Sequence, residues 1–115
     1  MKLAIIGSRS FIDYEKLCQE VDPIVKTFSI TEIVSGGAKG ADNLAERYAK
    51  ERKLQLQVYY AKWKYYGKQA AYFRNQQIID RCDMVIAFWD GKSPGTKMSI
   101  QLAQSQKKDV IIIGV

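Results

Sequence analysis

Short apolar segments of this chain alternate with amphipathic ones, and several of the apolar segments stop at a glycine. Residues 3–6 are all apolar and are followed by Gly7, and the apolar residues 84–88 lead into a loop with two glycines. An apolar run of this length between turn signals predicts a strand that is buried on both faces. The other strands are predicted at 30–34, 54–60 and 110–113. The segment 54–60 alternates apolar and polar residues, which predicts a half-exposed edge strand.

Between the predicted strands, apolar residues recur at helical spacing. The first helix is expected to follow Asp13 as its N-cap and to kink or divide at Asp22-Pro23. Further helices are predicted at 41–53, 68–81 and 96–106, the last with Thr96 suited to capping. This alternation predicts an α/β fold, a three-layer sandwich with a five-stranded parallel sheet between helices. We expect residues 1–115 to form a single domain.

The composition excludes several kinds of catalysis. The chain has no histidine, which removes Ser-His-Asp and Cys-His chemistry and the commonest metal ligand. Its two cysteines, Cys18 and Cys82, form no CxxC pattern, so neither a zinc site nor a disulfide framework is indicated. Catalysis would have to use carboxylates, arginine, lysine, tyrosine or an oxygen-ligated metal. We expect no metal and no cofactor.

The net charge of +6 has two interpretations. A basic chain attracts anionic partners such as nucleotides, nucleic acid or acidic surfaces. Alternatively, the charge only keeps a small protein soluble, and the scatter of lysines along the chain is compatible with that. No signal peptide and no membrane-spanning segment are recognisable, so a cytoplasmic location is expected.

Three glycine-containing loops follow predicted strands, at 7–10, 35–42 and 90–96; we call them the first, second and fourth loops, after the strand that each one follows. In a parallel sheet these loops emerge at one edge, where ligands of open α/β sheets bind. Glycine lets backbone approach a ligand, and the following helix offers free amides to a phosphate. Each loop alone could instead be a tight turn that needs a positive φ. Together they predict a phosphate-binding rim whose candidate residues are Gly7, Ser8, Arg9, Ser35, Gly36, Gly37, Ala38, Gly40, Asp42, Asp90, Ser93, Gly95 and Thr96.

Three further features bear on this rim. Arg74-Asn75 stands near a helix start, where a guanidinium could clamp an anion or else form a surface salt bridge. Asp42 could cap its helix or accept a hydrogen bond from a ligand hydroxyl. The segment 62–66 interleaves lysines with aromatic residues, which suits base stacking. The favoured interpretation of that segment is a loop whose Trp63 packs over the end of the sheet.

Several of these segments, taken in order along the chain, resemble the YspA-type branch of the SLOG superfamily; they are 7–9, 35–42, 61–63 with 66–67, 74–75 and 87–96. The superfamily has a Rossmann-like fold and includes LOG phosphoribohydrolases, DNA-processing protein A and sensors of nucleotide-derived signals. The resemblance implies the strand order 3-2-1-4-5. It places the first and fourth loops across a crevice, with the second beside them. It also implies a homodimer or larger homo-oligomer.

Two positions depart from the resemblance. LOG-type hydrolases carry a Gly-Thr-x-x-Glu segment whose glutamate acts with an arginine; Arg74 matches the arginine, but Ser99 stands at the glutamate position. Ala71 stands where the family usually has glycine, which would narrow the pocket slightly. We therefore expect a protein that binds a nucleotide or nucleotide-derived small molecule, as a sensor, carrier or sequestering module.

Two alternatives stay open. The chain could be a nucleoside-phosphate N-glycosidic hydrolase, in which Asp42 or Asp90 replaces the missing glutamate and Arg74 orients the phosphate. It could instead bind single-stranded nucleic acid through the aromatic segment and its positive charge.

Overall fold

Five strands form one parallel sheet in the computed structural model, which describes residues 1–115. The strands are β1 (Lys2–Gly7), β2 (Glu32–Ser35), β3 (Gln55–Val58), β4 (Met84–Trp89) and β5 (Asp109–Gly114). Their order is β3-β2-β1-β4-β5, and every neighbouring pair is parallel. The predicted α/β class, strand number and strand order are confirmed.

The central strand β1 pairs with β2 on one side and with β4 on the other. Ala4 lies opposite both Val34 of β2 and Val85 of β4. The chain leaves β1 toward β2 and comes back on the far side at β4, so the loops after β1 and β4 diverge. A ligand crevice is expected at such a switch point in a parallel sheet.

The chain forms five α-helices, four of which cover the two faces of the sheet. They are α1 (Tyr14–Thr27), α2 (Ala41–Glu51), α3 (Trp63–Tyr66), α4 (Ala70–Arg81) and α5 (Pro94–Ser105), and a 3₁₀ turn at Gly67–Gln69 joins α3 to α4. Buried residues of α1 and α2 pack on one face, and those of α4 and α5 pack on the other. The predicted three layers are therefore present.

Alternate residues of β1 enter the two hydrophobic cores. Leu3 and Ile5 belong to the core under α1 and α2, whereas Ala4 and Ile6 belong to the core under α4 and α5. Full burial of a side chain such as leucine or isoleucine contributes about 1.5–3 kcal/mol. Because both faces are covered, β1 is apolar from Leu3 to Gly7 and shows no polar alternation there.

The helix predictions need three corrections. α1 continues through Pro23 without dividing, because Leu17, Val21 and Ile24 bury one face across the proline and hold the helix together. α5 begins at Pro94 with Ser93 in the N-cap position, so Thr96 lies inside the first turn and does not cap the helix. The segment expected as a loop at 62–66 contains the single turn α3.

The strand β3 ends earlier than expected, at Val58, but it is the partly exposed edge strand that the alternation predicted. Cys18 is half-buried and packs at the margin of the core under α1 and α2. None of the helices is long and apolar enough to span a membrane.

Candidate functional site

A cavity of about 560 Å³ lies at the carboxyl edge of the sheet, between the loops that follow β1 and β4. We call it the crevice. Its walls combine the first loop, the second loop, and the first turns of α4 and α5. The lining residues are Ile6, Gly7, Arg9, Ser10, Ala38, Asp42, Ala71, Arg74, Asn75, Ile78, Ser93, Pro94, Gly95, Thr96 and Ser99.

The first and second loops touch through glycine. Gly40 has φ of +75°, and a Cβ there would collide with the carbonyl oxygens of Ser8 and Arg9. The amide of Ala41 donates to the Ser8 oxygen at 3.3 Å, so the contact is also a hydrogen bond. Gly7 is needed for packing as well, because its Cβ would meet the Phe88 carbonyl of β4. These two glycines hold the crevice walls together.

Arg74 is the central polar side chain of the crevice. It projects from α4, is almost fully buried, and donates from Nη1 to the Gly36 carbonyl and from Nε to Asn75 Oδ1, each at 2.7 Å. Neither of these bonds uses its Nη2. None of the protein's ion pairs includes Arg74, so it is not the surface salt bridge that the sequence left open. Burial lowers the pKa of its guanidinium from the ordinary value.

Asp42 faces Arg74 from the first turn of α2. It is not the N-cap, which is Gly40; its Oδ2 accepts from the amide of Ala38 at 3.1 Å and so shapes the second loop. Burial raises the pKa of the Asp42 carboxyl to about 6, although the Ala38 amide and the charge of Arg74 act in the opposite direction. Asp42 is thus a buried carboxyl that changes charge near neutral pH.

Asp90 has a different role from Asp42. Its Oδ1 accepts from the amides of Lys92 and Ser93, both at 2.8 Å, and its own amide donates to Ser8 Oγ at 3.1 Å. These amide bonds lower the pKa of Asp90 to about 2. The Ser8 and Ser93 hydroxyls lie 3.1 Å apart, so this cluster ties the first loop to the fourth. Asp90 is ionised and committed to loop structure.

The start of α5 faces the crevice with free backbone amides. The amide of Lys97 is the first to bond within the helix, to the Ser93 carbonyl at 3.1 Å. The amides of Gly95 and Thr96 therefore lack intrahelical acceptors, as at any helix start. A Cβ at Gly95 would meet no other atom within 4 Å, so the backbone here is open to a ligand. Ser99 lies buried on the same wall, one turn further along α5.

The first 66 residues match the family described as the YspA, cpYpsA-related SLOG family. This chain belongs to that SLOG family. It is 33% identical to the Gene 61 protein of Mycobacterium phage D29 over 88 residues, which cover 71% of this chain and 70% of the phage protein. The match to the family contains the first two loops, whereas Arg74 and the fourth loop lie beyond it.

The SLOG fold is also seen in a solved structure. DNA processing protein A from Helicobacter pylori, described for its single-stranded DNA binding mode, superimposes with a TM-score of 0.71 at 24% sequence identity. The superposition covers 97% of this chain and 64% of that one. This likeness shows a shared fold.

Nine of the fifteen predicted site residues, which are the thirteen rim residues with Arg74 and Asn75, line the crevice. Gly36 and Gly37 line an adjoining cavity of about 440 Å³ that shares Arg9, Ala38 and Arg74 with the crevice. Four predicted residues line neither of these two cavities and instead make contacts within and between the loops; they are Ser8, Ser35, Gly40 and Asp90.

The wall residue Ile78 was not predicted, although the helical spacing around Arg74 indicates it, whereas Ala71 and Ser99 were noted only through the resemblance to the family. Ala71 and Ile78 stand three residues before and four after Arg74, and Ser99 stands three after Thr96. On a helix, that spacing puts side chains on the same face. Helical periodicity applied around the predicted arginine would have placed the apolar wall.

Proposed function

We propose that the crevice of this SLOG chain binds a nucleotide-type ligand by its phosphate, and that residues 1–115 act as one binding module. The observation that supports this most is the buried Arg74 guanidinium, which has no carboxylate at ion-pair distance. Asp42 offsets this buried charge only from beyond ion-pair distance, so an anionic ligand would stabilise the guanidinium further and accept two hydrogen bonds from it.

The surroundings of Arg74 favour the same kind of ligand. Arg9 is close enough to lower the pKa of Arg74 further, so two guanidiniums bear on one cavity. The free amides of Gly95 and Thr96 line the same cavity, at the positive end of the α5 dipole. Two cationic forks and a helix start form a cradle for phosphate oxygens.

The ligand should be larger than inorganic phosphate. The crevice has about 560 Å³ and includes the apolar side chains of Ile6, Ala71 and Ile78. Cavities of roughly 300–1,000 Å³ with an apolar wall and a few polar groups are typical of small-molecule sites. The apolar wall suits the flat face of a base or the carbon face of a ribose. Such a module would sense, carry or sequester its ligand.

Titration calorimetry against nucleoside mono- and diphosphates tests the proposal. We expect Arg74→Ala to weaken binding by tenfold or more, because hydrogen bonds between charged groups contribute about 1.5–3 kcal/mol. Arg74→Lys should recover only part of the loss, since an ammonium lacks the planar fork. Arg47→Ala is the control: Arg47 is an exposed arginine paired with Glu51 on α2. Equal affinity of the Arg74 and Arg47 variants would contradict the proposal.

A second candidate is hydrolysis of an N-glycosidic bond, and Asp42 is the observation that favours it. A carboxyl with a pKa of about 6 can exchange a proton at neutral pH, and it lines the crevice with Arg74. Asp42 would take a proton from water as the water oxygen bonds to C1′. The C1′–N bond would break, and its electron pair would leave with the base, which is then protonated. Asp90 does not qualify, because its carboxylate is ionised and held by loop amides.

Chromatography of purine nucleoside monophosphates incubated with the protein decides this point. Release of free base together with ribose 5-phosphate, lost in Asp42→Asn and kept in Asp90→Asn, would establish the hydrolase. Intact nucleotide after prolonged incubation with a protein that demonstrably binds it would exclude this candidate for the nucleotides tested.

Single-stranded nucleic acid is the remaining candidate. DNA processing protein A of Helicobacter pylori is described as binding single-stranded DNA. A phosphodiester offers the crevice the same anionic oxygens as a nucleotide, so short oligonucleotides belong in the ligand screen. A preference for them over mononucleotides would indicate that the binding surface extends beyond the crevice.

A further inference from the structure

Beside the crevice lies a surface of exposed aromatic rings. We call it the aromatic surface and define it by Tyr60, Trp63, Tyr66, Tyr72 and Phe73. Together with Tyr65, these make up six of the protein's seven exposed aromatic side chains, although they come from only 14 consecutive residues, 60–73. An exposed apolar patch of this kind in a soluble fold marks an interaction site.

The fold does not account for these rings. The helix α3 and the 3₁₀ turn after it contain no buried residue, and Trp63 is 53% exposed. The expectation that Trp63 packs over the end of the sheet therefore finds no support, because Trp63 joins neither hydrophobic core. The rings instead arrange one another: Tyr66 and Phe73 have centroids 4.8 Å apart, and Tyr72 meets Phe73 edge-on at 5.8 Å. The hydrophobic core gains little from them.

The aromatic surface also lies in the segment that holds the net positive charge. Residues 52–79 contain six basic and no acidic residues, whereas the rest of the chain contains twelve of each. The lysines are scattered, but the acidic residues avoid this segment. Lys62, Lys64 and Lys68 are exposed between and beside the rings. Rings interleaved with uncompensated cations suit a ligand that has flat bases and a negative backbone.

The aromatic surface is continuous with the crevice. Arg74 lines the crevice, the adjoining cavity, and a third cavity of about 290 Å³ that is bordered by Tyr60, Tyr66 and Phe73. The Tyr60 ring packs against the second loop so closely that a Cβ on Gly37 would lie 2.5 Å from it. A ligand anchored on Arg74 therefore has a path along the cavities to the rings.

We propose that the aromatic surface is a stacking subsite for unpaired nucleobases joined by a phosphodiester to the group held in the crevice. The inference rests on the phosphate site proposed above. Trp63 and Tyr66 supply the stacking faces, and Lys62 and Lys64 meet the phosphates between bases. A free dinucleotide and a single strand present this same chemistry, so the two are separated by ligand length.

The test compares ligands that differ only in their bases. Fluorescence anisotropy measures the affinity for a labelled 12-residue oligothymidylate and for a base-free sugar-phosphate strand of the same length. We expect the oligothymidylate to bind about tenfold more tightly or better, because stacking on an aromatic side chain contributes about 1–3 kcal/mol per base. Affinity that stops rising at two nucleotides would identify a free dinucleotide as the ligand. A continued rise would identify a single strand.

Variants assign the effect to the surface. Trp63→Ala should lower the affinity for oligothymidylate about tenfold without changing that for the base-free strand, and Trp63→Phe should restore most of it. Phe28→Ala removes an exposed ring at the end of α1 and should change neither the affinity for oligothymidylate nor that for the base-free strand. In a Trp89→Phe background, Trp63 is the only tryptophan, and stacking should quench its fluorescence.

The two proposals fail in different ways. Equal affinity for the two strands, with no quenching, would overturn the stacking subsite even if Arg74→Ala weakened both. Loss of affinity in Trp63→Ala with none in Arg74→Ala would support the stacking subsite for bases and overturn the phosphate site.

Discussion

Ionisation of the buried Asp42 carboxyl at neutral pH lowers the free energy of unfolding. Its carboxyl has a pKa of about 6 in the folded protein, above the ordinary value of 3.8. The folded state therefore binds more protons than the unfolded state between about pH 4 and 6, and stability falls as the pH rises through that range. We predict that Asp42→Asn raises the free energy of unfolding by up to about 3 kcal/mol at pH 8 and by little at pH 4.

Urea titrations of both proteins at pH 4 and pH 8 measure this difference. The amide oxygen of the asparagine can still accept from the Ala38 amide, so the loop contact is retained. An equal increase in the free energy of unfolding at both pH values would mean that Asp42→Asn acts by packing and that Asp42 does not titrate as described.

The same residue should make anion binding depend on pH. When Asp42 ionises near pH 6, it places a negative charge beside the phosphate site of Arg74. We predict that affinity for a dinucleotide, whose phosphodiester keeps its charge, falls severalfold between pH 5 and pH 7.5. Calorimetry across this range checks the prediction, and Asp42→Asn should give a flat profile. A profile that stays steep in the variant would assign the titration to another group.

At the scale of elements, the backbone amides of the glycine loops should contribute more to phosphate binding than the lysine side chains do. Gly95 lies in the first turn of α5, has an ordinary φ, and leaves open space where a Cβ would be added. We predict that Gly95→Val folds normally and weakens nucleotide binding by tenfold or more, because the added side chain occupies the approach to the helix amides. Neutralising Lys39 or Lys92, which are both exposed, should weaken it by less than threefold.

Gly37 belongs to the same comparison but needs a control. Its φ is +68° and its Cβ would strike Tyr60, so Gly37→Val is strained, by about 1 kcal/mol or more, and displaces that ring. Thermal unfolding must therefore accompany its affinity measurement. If Lys39→Ala proves the most damaging variant and Gly37→Val is silent, the site is a patch of side-chain charge.

At the scale of the whole molecule, the two edges of the sheet differ. The edge strand β3 presents Gln55 and Gln57, whereas β5 is apolar from Val110 to Ile113, with Ile112 46% exposed. Long apolar edges pair with other chains unless they are blocked. We predict a homodimer or larger homo-oligomer that light scattering detects as at least twice the 13.1 kDa of one chain.

Ile112→Lys should shift the particle to one chain, since a lysine on an edge strand opposes pairing. Gln55→Lys on the opposite edge is the matched control and should leave the assembly unchanged. A wild-type protein that scatters as a single chain at every concentration would contradict the prediction.

The local pattern of apolar and polar residues predicted most of the strands, the helices and the parallel sheet of this protein. Apolar runs of four or five residues mark strands buried on both faces, and their alternation with helical periodicity requires a parallel sheet. The order of the strands followed from the resemblance to SLOG proteins. Prediction from local sequence failed where tertiary packing outweighed a residue's own preference. Pro23 did not divide α1, because residues buried on both sides of the proline hold the helix against the sheet.

The opposite pKa shifts of the Asp42 and Asp90 carboxyls depend on tertiary structure. Both were predicted in glycine loops at the same edge, and nothing near either in sequence distinguishes them. Asp42 is buried near Arg74, 32 positions away, whereas Asp90 meets Ser8 from the other side of the sheet centre. The sequence by itself determined the layers, the edge and the glycine loops, because these follow from periodicity and turn chemistry. Which residues face the crevice, and which carboxyl titrates near neutral pH, depend on distant neighbours that only the folded chain brings together.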